Sequence, residues 1–238
     1  MAGLKRGTKI AEAIAQDILT RICESGLETG SQLPSEPQML ADYGVGRGSL
    51  REALRILEIH GIIKIKSGPG GGPVVTGATT KDFGRMATLF FQASGITFRE
   101  LMDARLVLEP AIARLAAQRT QKDKREELLE AQTSTESDEA YLKTSADFHR
   151  QIASMSGNRI LDLISHAIED IFHERVVGML FPPERRGDVV AAHDAIARAI
   201  ADGDADTAEQ AMRDHMAEYA RFVEARYPAL VDEVVAWH

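Results

Sequence analysis

The chain has one cysteine, Cys23, and only 5% Phe, Trp and Tyr among its 238 residues. A single thiol excludes an internal disulfide and any thiolate-cluster metal site. So few aromatics argue against an aromatic-rich sheet sandwich. They favour helices packed by Leu, Ile, Ala and Val, which the 44% hydrophobic content can supply. No apolar run reaches membrane-spanning length, and the first seven residues contain no hydrophobic signal core, so a cytoplasmic chain with no membrane partner is expected. The length fits one or two domains at roughly 100–200 residues each.

Negative charge is unevenly distributed. Up to Thr76 there are nine Lys and Arg against eight Asp and Glu; beyond it there are nineteen against twenty-eight, so the acid behind the net −8 lies in the second part. A near-neutral first part and a strongly acidic second part are expected to serve different partners. Charge thus divides the chain in two, and the local patterns that follow make residues 1–77 a winged helix-turn-helix with a small β-hairpin wing and residues 78–238 an all-α bundle. The fold class is mostly α.

The first domain is read from local signals. Ile10, Ile14, Ile18 and Ile22 recur every four residues over a helix expected at 8–25. Ser35 and Gln38 have capping-box spacing, Gly44 can stop the short helix they begin, and Gly46 can cap the next. In that second helix Leu50, Ala53, Leu54 and Leu57 form an inward stripe, leaving Arg47, Ser49 and Arg51 near its free tip. Arginine on such a tip matches guanine bidentately in the major groove, and small residues permit close approach. Gly61 ends the helix. Ile62 to Lys66 then reads as a strand, Gly68 to Pro73 as a turn and Val74-Val75 as a returning strand. Lys64, Lys66 and the turn backbone at Gly70 are placed to meet phosphates. A phosphate-loop reading of the glycine-rich turn fails, because no Lys-Ser or Lys-Thr follows it and Pro73 blocks immediate helix entry.

From Lys81 onward, helix-period patterns are expected at 98–119, with Thr97 and Glu100 as a capping box, and at 122–130, 137–155, 159–180, 184–201 and 205–226. His149, His193 and His215 fall on the apolar stripes of three different helices. Three inward imidazoles each need a polar partner, and one shared divalent cation, zinc or nickel, satisfies all three. His166 and His173, beside Glu169 and Asp170, read instead as a solvated face.

The run from Leu33 to Val75 resembles the DNA-binding domain of the GntR family of bacterial transcriptional regulators, through Leu33-Pro34-Ser35-Glu36, Gly44-Val45-x-Arg47, Leu50-Arg51-Glu52-Ala53-Leu54 and Leu57-x-x-x-Gly61. Pro37, Gly46 and Gly48 depart from the family pattern, so the contacts it implies pass only to Arg47, Ser49 and Arg51. The second part resembles the FCD-type effector domain of the FadR subgroup. It does so through Leu101-x-x-x-Arg105-x-x-Leu108-Glu109-Pro110, Phe148-His149-x-x-Ile152, Gly157-Asn158, His193-x-x-Ile196 and Met212-x-x-His215. That resemblance implies a metal held by the three histidines, a small organic acid bound beside it and Arg105 at the pocket wall, although Arg105 is also spaced for a salt bridge to Glu109. Ser145 stands where metal-bearing members have an aspartate ligand. Asp147 cannot replace that residue, because two positions before His149 is nearly the opposite side of a helix.

The expected function is therefore transcriptional regulation by a homodimer on an inverted-repeat operator of double-stranded DNA, controlled by a small carboxylate effector. Two heads double the base contacts of one short helix. A metal-dependent hydrolytic enzyme using the three histidines is the alternative, and an architectural DNA protein without a ligand is a third.

Overall fold

The computed structural model describes residues 2–68, 70–119, 122–130, 135–176 and 182–236, with backbone alone for 2–8, 122, 123 and 173–176. The chain packs as two units, Met1–Asp82 and Phe83–His238.

In the first unit α1 (Ala2–Glu24), α2 (Glu36–Tyr43) and α3 (Arg47–Ile59) precede an antiparallel hairpin, β1 (Ile63–Lys66) and β2 (Gly72–Val75), paired from Ile63↔Val75 to Lys66↔Gly72. The capping box is formed: the Ser35 amide donates to Gln38 Oε1 at 2.9 Å. Gly44 stops α2 at φ +62 in the left-handed region, which favours a residue without Cβ. Leu50, Ala53, Leu54 and Leu57 pack with Ile14, Ile18 and Ile22 into one core. Ile10 does not join them and is 41% exposed. A strict four-residue repeat drifts by about 40° per step around a helix, so Ala11 and Ala15 take the inward places at that end. The helix also begins earlier than the expected residue 8.

The second unit follows α4 (Thr80–Ser94) with α5 (Phe98–Arg119), α6 (Lys122–Glu130), α7 (Asp138–Met155), α8 (Arg159–Val176), α9 (Arg186–Asp202), α10 (Ala205–Arg226) and the short α11 (Pro228–Val231). The Thr97 amide donates to Glu100 Oε2 at 2.9 Å, closing the cap on α5. The end of the helix expected at 159–180 lies outside the described residues beyond Val176. The helix expected from 184 begins at Arg186, because Pro183–Arg185 winds as a 3-10 turn first. One core cluster joins Ile112, Phe148, Ile152, Ile196, Ile200 and Met212 from α5, α7, α9 and α10, the helices that carry the histidines and Arg105.

Candidate functional site

On the first unit, α3 begins at Arg47, and its first turn is held by the Gly46 carbonyl, which accepts from the amides of Ser49 and Leu50. Arg47 is exposed and Ser49 half-buried. Arg51 is also exposed, but its Nε lies 3.0 Å from Glu36 Oε1 on α2, a contact the sequence reading did not include. Lys64 and Lys66 stand exposed on β1. At the wing tip the Gly70 carbonyl accepts from Gln32 Nε2 at 3.1 Å, so the loop that precedes α2 steadies the turn. A positively charged helix tip and a lysine-bearing strand thus share one unit with few strong internal partners. Exposed ion pairs such as Arg51–Glu36 are worth about 0–1 kcal/mol and exchange easily.

In the second unit α7, α9 and α10 bring His149, His193 and His215 together. The Nε2 atoms of His193 and His215 are 3.2 Å apart, and those of His215 and His149 are 3.4 Å apart. His149 and His193 are 7% and 3% exposed. The His193 ring stacks on Phe148 with centroids 4.0 Å apart. His215 lies on the wall of a 320 Å³ cleft lined also by Arg185, Asp188, Val189, Asp214 and Glu218. Burial, and then the neighbouring imidazoles, lower the pKa of His193; burial and His149 lower that of His215 to about 3. Both rings are neutral near pH 7 and keep a nitrogen lone pair available. A tetrahedral ion with bonds of ~2.0–2.1 Å needs ligand nitrogens about 3.3–3.4 Å apart, and the measured pairs fall around that spacing. Ser145 is half-buried on α7, and Asp147 is exposed beside Arg150 at 3.8 Å, so no carboxylate from this helix completes the set.

Arg105, on α5, is buried. Its Nε donates to Glu109 Oε1 at 2.5 Å, its Nη2 lies 2.9 Å from Glu169 Oε2 on α8, and its Cζ sits 5.2 Å from the Phe172 ring centroid. Desolvation opposes the charge of Arg105 and of Glu109, but Glu109 and Glu169 hold the Arg105 pKa above its usual range, and Arg105 and His149 hold that of Glu109 below its own. The Oε2 atom of Glu109 lies against Nδ1 of His149, which joins the arginine to the histidine group. One guanidinium against two carboxylates leaves one formal negative charge beside three imidazoles.

The three histidines converge from three helices. Glu169 and Asp170, the neighbours of the two histidines read as a solvated face, are both engaged: Glu169 pairs with buried Arg105, and Asp170 pairs with Arg150 Nη2 at 2.5 Å. His166 is partly buried, its Nδ1 2.8 Å from the Asp162 carbonyl oxygen, and the side chain of His173 lies outside the described residues. The available signal for Glu169 was Arg105 itself, since a buried guanidinium needs carboxylates and one at i+4 satisfies only part of its fork. In the sequence Glu109 stands out as a motif residue and as a salt-bridge partner of Arg105, and nothing in its spacing points to His149.

Residues 10–71 match the bacterial regulatory proteins of the gntR family, and residues 100–218 match the FCD domain. The chain is 31% identical over 217 residues to the HTH-type transcriptional repressor NanR of Enterobacter sp. (strain 638), covering 87% of this chain and 83% of that protein. It is 30% identical over 220 residues to the putative L-lactate dehydrogenase operon regulatory protein of Escherichia coli (strain K12), covering 87% and 84%. Among solved structures, Streptococcus agalactiae GntR superposes with a TM-score of 0.71 at 26% identity, covering 89% of this chain and 99% of that one.

Proposed function

Because the chain belongs to the GntR family of bacterial transcriptional regulators and carries an FCD domain, we propose that it is a homodimer whose operator affinity is set by a small carboxylate bound beside a divalent ion at His149, His193 and His215. It is a regulator and not an enzyme, so the hydrolytic alternative for the three histidines falls. No helix among the described residues is long and apolar enough to cross a membrane.

The observation that carries the proposal is the convergence of the three Nε2 atoms. The spacing of the His193–His215 and His215–His149 pairs suits a tetrahedral ion such as zinc, and imidazole suits nickel as well. The formal negative charge left by Arg105, Glu109 and Glu169 is a second support, since a cation would compensate it. The ion would supply a Lewis-acidic docking point for a carboxylate. Ser145 adds no charge, which leaves a coordination position to water or to that carboxylate. Arg105 then serves the effector through Nη2, whose partner Glu169 is the more exposed of its two carboxylates. A carboxylate suits the relatives too, since one is named for the L-lactate dehydrogenase operon and lactate is a hydroxy acid. In the head, Arg47, Ser49 and Arg51 face base edges while Lys64, Lys66 and the Gly70 backbone lie along phosphates, and two heads read an inverted repeat.

The test combines metal analysis, sedimentation and operator binding on the full chain. Purified protein should carry zinc, sediment as a dimer and change its operator affinity with small carboxylates. His193→Ala should lose the metal and the carboxylate response while still binding operator, and Ser145→Asp should tighten zinc binding. A zinc-free protein that responds to carboxylates unchanged after zinc addition would overturn the metal role.

A further inference from the structure

Glu109 is buried and holds two partners at once: Arg105 Nε at Oε1, and Nδ1 of His149 at Oε2. Among the described residues, neither Oε2 nor that Nδ1 has another hydrogen-bond partner. An ionised carboxylate only accepts hydrogen bonds, whereas a neutral imidazole carries its proton on one nitrogen and a lone pair on the other. Arg105 keeps Glu109 ionised, so a proton on the facing atom of His149 gains a hydrogen bond while a lone pair there meets repulsion. The proton therefore belongs on Nδ1 and the lone pair on Nε2, the atom 3.4 Å from His215 Nε2 at the centre of the histidine group. The other tautomer would place a proton where an ion must bind.

We propose that Glu109 is the positioning residue of the histidine site: it fixes His149 as the Nδ1–H tautomer, aims Nε2 at the ion, and ties that ligand to Arg105 through its second oxygen. The proposal rests on the metal reading given above. Carboxylates behind metal-bound imidazoles orient the ring and raise its basicity. Here that role falls to α5, the helix that also carries Arg105, and not to the histidine's own helix α7. Glutamine cannot substitute, because Arg105 Nε and His149 Nδ1–H both donate toward this side chain and an amide offers only one acceptor oxygen.

The test uses zinc alone as the probe, measured by chelator competition on the full chain, together with nitrogen-15 imidazole NMR of the metal-free protein. Wild type should bind zinc and show His149 as the Nδ1–H tautomer. Glu109→Gln should weaken zinc about 10- to 100-fold and shift that tautomer, Glu109→Asp should recover part of both, and Glu169→Gln, which removes the same charge without touching His149, should weaken zinc less and leave the tautomer as in wild type. Equal weakening by Glu109→Gln and Glu169→Gln would reduce the role of Glu109 to net charge and overturn the proposal. Observation of the Nε2–H tautomer in wild type would overturn it even if the variants fail to fold. Zinc bound equally by wild type and Glu109→Gln would refute the positioning role while leaving the metal site standing. No zinc uptake by wild type would remove the site, and the proposal with it.

Discussion

In the DNA-reading unit Arg51 meets Glu36 with 67% of its side chain in solvent, whereas in the helical unit Arg105 meets Glu109 and Glu169 at 8% exposed. The same pair of charges does opposite work. In the first setting water and salt screen the contact, so the guanidinium is free to leave its carboxylate for a phosphate or a base. In the second, desolvation makes every unpaired charge costly, so the arginine is locked and its neighbours are fixed with it. A surface that must bind different sequences during search benefits from loosely held cations. The ion and carboxylate site proposed for the helical unit would benefit from a rigid one, where adding or removing one charge is felt by all the others.

The largest effect expected from breaking this contrast is at Arg105. Arg105→Ala leaves Glu109 and Glu169 buried without their common cation and should destabilise the protein by about 3–5 kcal/mol. Urea unfolding measures it; a loss below about 1 kcal/mol would show the pair to be as weak as a surface one. Arg47→Ala should weaken specific operator binding by about 1–3 kcal/mol with an unchanged unfolding midpoint. An Arg47→Ala protein that bound operator like wild type would remove that residue from base readout. Glu36→Ala should cost at most about 1 kcal/mol of stability while leaving operator binding the same or tighter, because Arg51 is then released. Lys66→Ala should lower the slope of log affinity against log salt by about one and weaken all sequences alike, and a sequence-selective loss would move Lys66 from phosphate to base.

In alkali the two units are expected to behave alike. Burial first, and then Asp17, raise the Tyr43 pKa to about 12 in the head, and burial raises that of Tyr141 to about 12 in the helical unit despite the opposing pull of Arg186. Both folded values lie above the unfolded value of 10. Between pH 10 and 12 the unfolded chain therefore holds fewer protons than the native one, and stability falls as pH rises through that window. Denaturant midpoints across it, compared with Tyr141→Phe, would show the Tyr141 share as a gentler decline.

The reading unit was legible because its signals are local. A cap three residues long, a glycine stop and a four-residue stripe all lie within one turn or two of helix, and the structure realises each at Ser35, Gly44 and Leu50 to Leu57. In α1 the four-residue repeat of Ile10, Ile14, Ile18 and Ile22 fails at Ile10, because the 3.6-residue period turns that position outward. In the helical unit the histidines were found because a polar ring on an apolar stripe is itself anomalous. Their partners were harder to find: Glu169 sits 64 positions from Arg105 on another helix, and which face of α8 turns inward depends on packing that no window of sequence contains.

Gly61 has a consequence for how this sequence is able to vary. It sits at φ +70 after α3, its carbonyl accepts from Thr76 Oγ1 at 2.7 Å, and a Cβ there would lie 2.5 Å from Cγ of Asp82, whose carboxylate accepts from the Thr79 amide. Any side chain at this position would strain the backbone and press on the cap that starts α4. A larger residue at Gly61 therefore acts on the end of α3, the exit from the wing and the beginning of α4 together, whereas at Gly46 and Gly48 an added Cβ meets nothing within 4 Å.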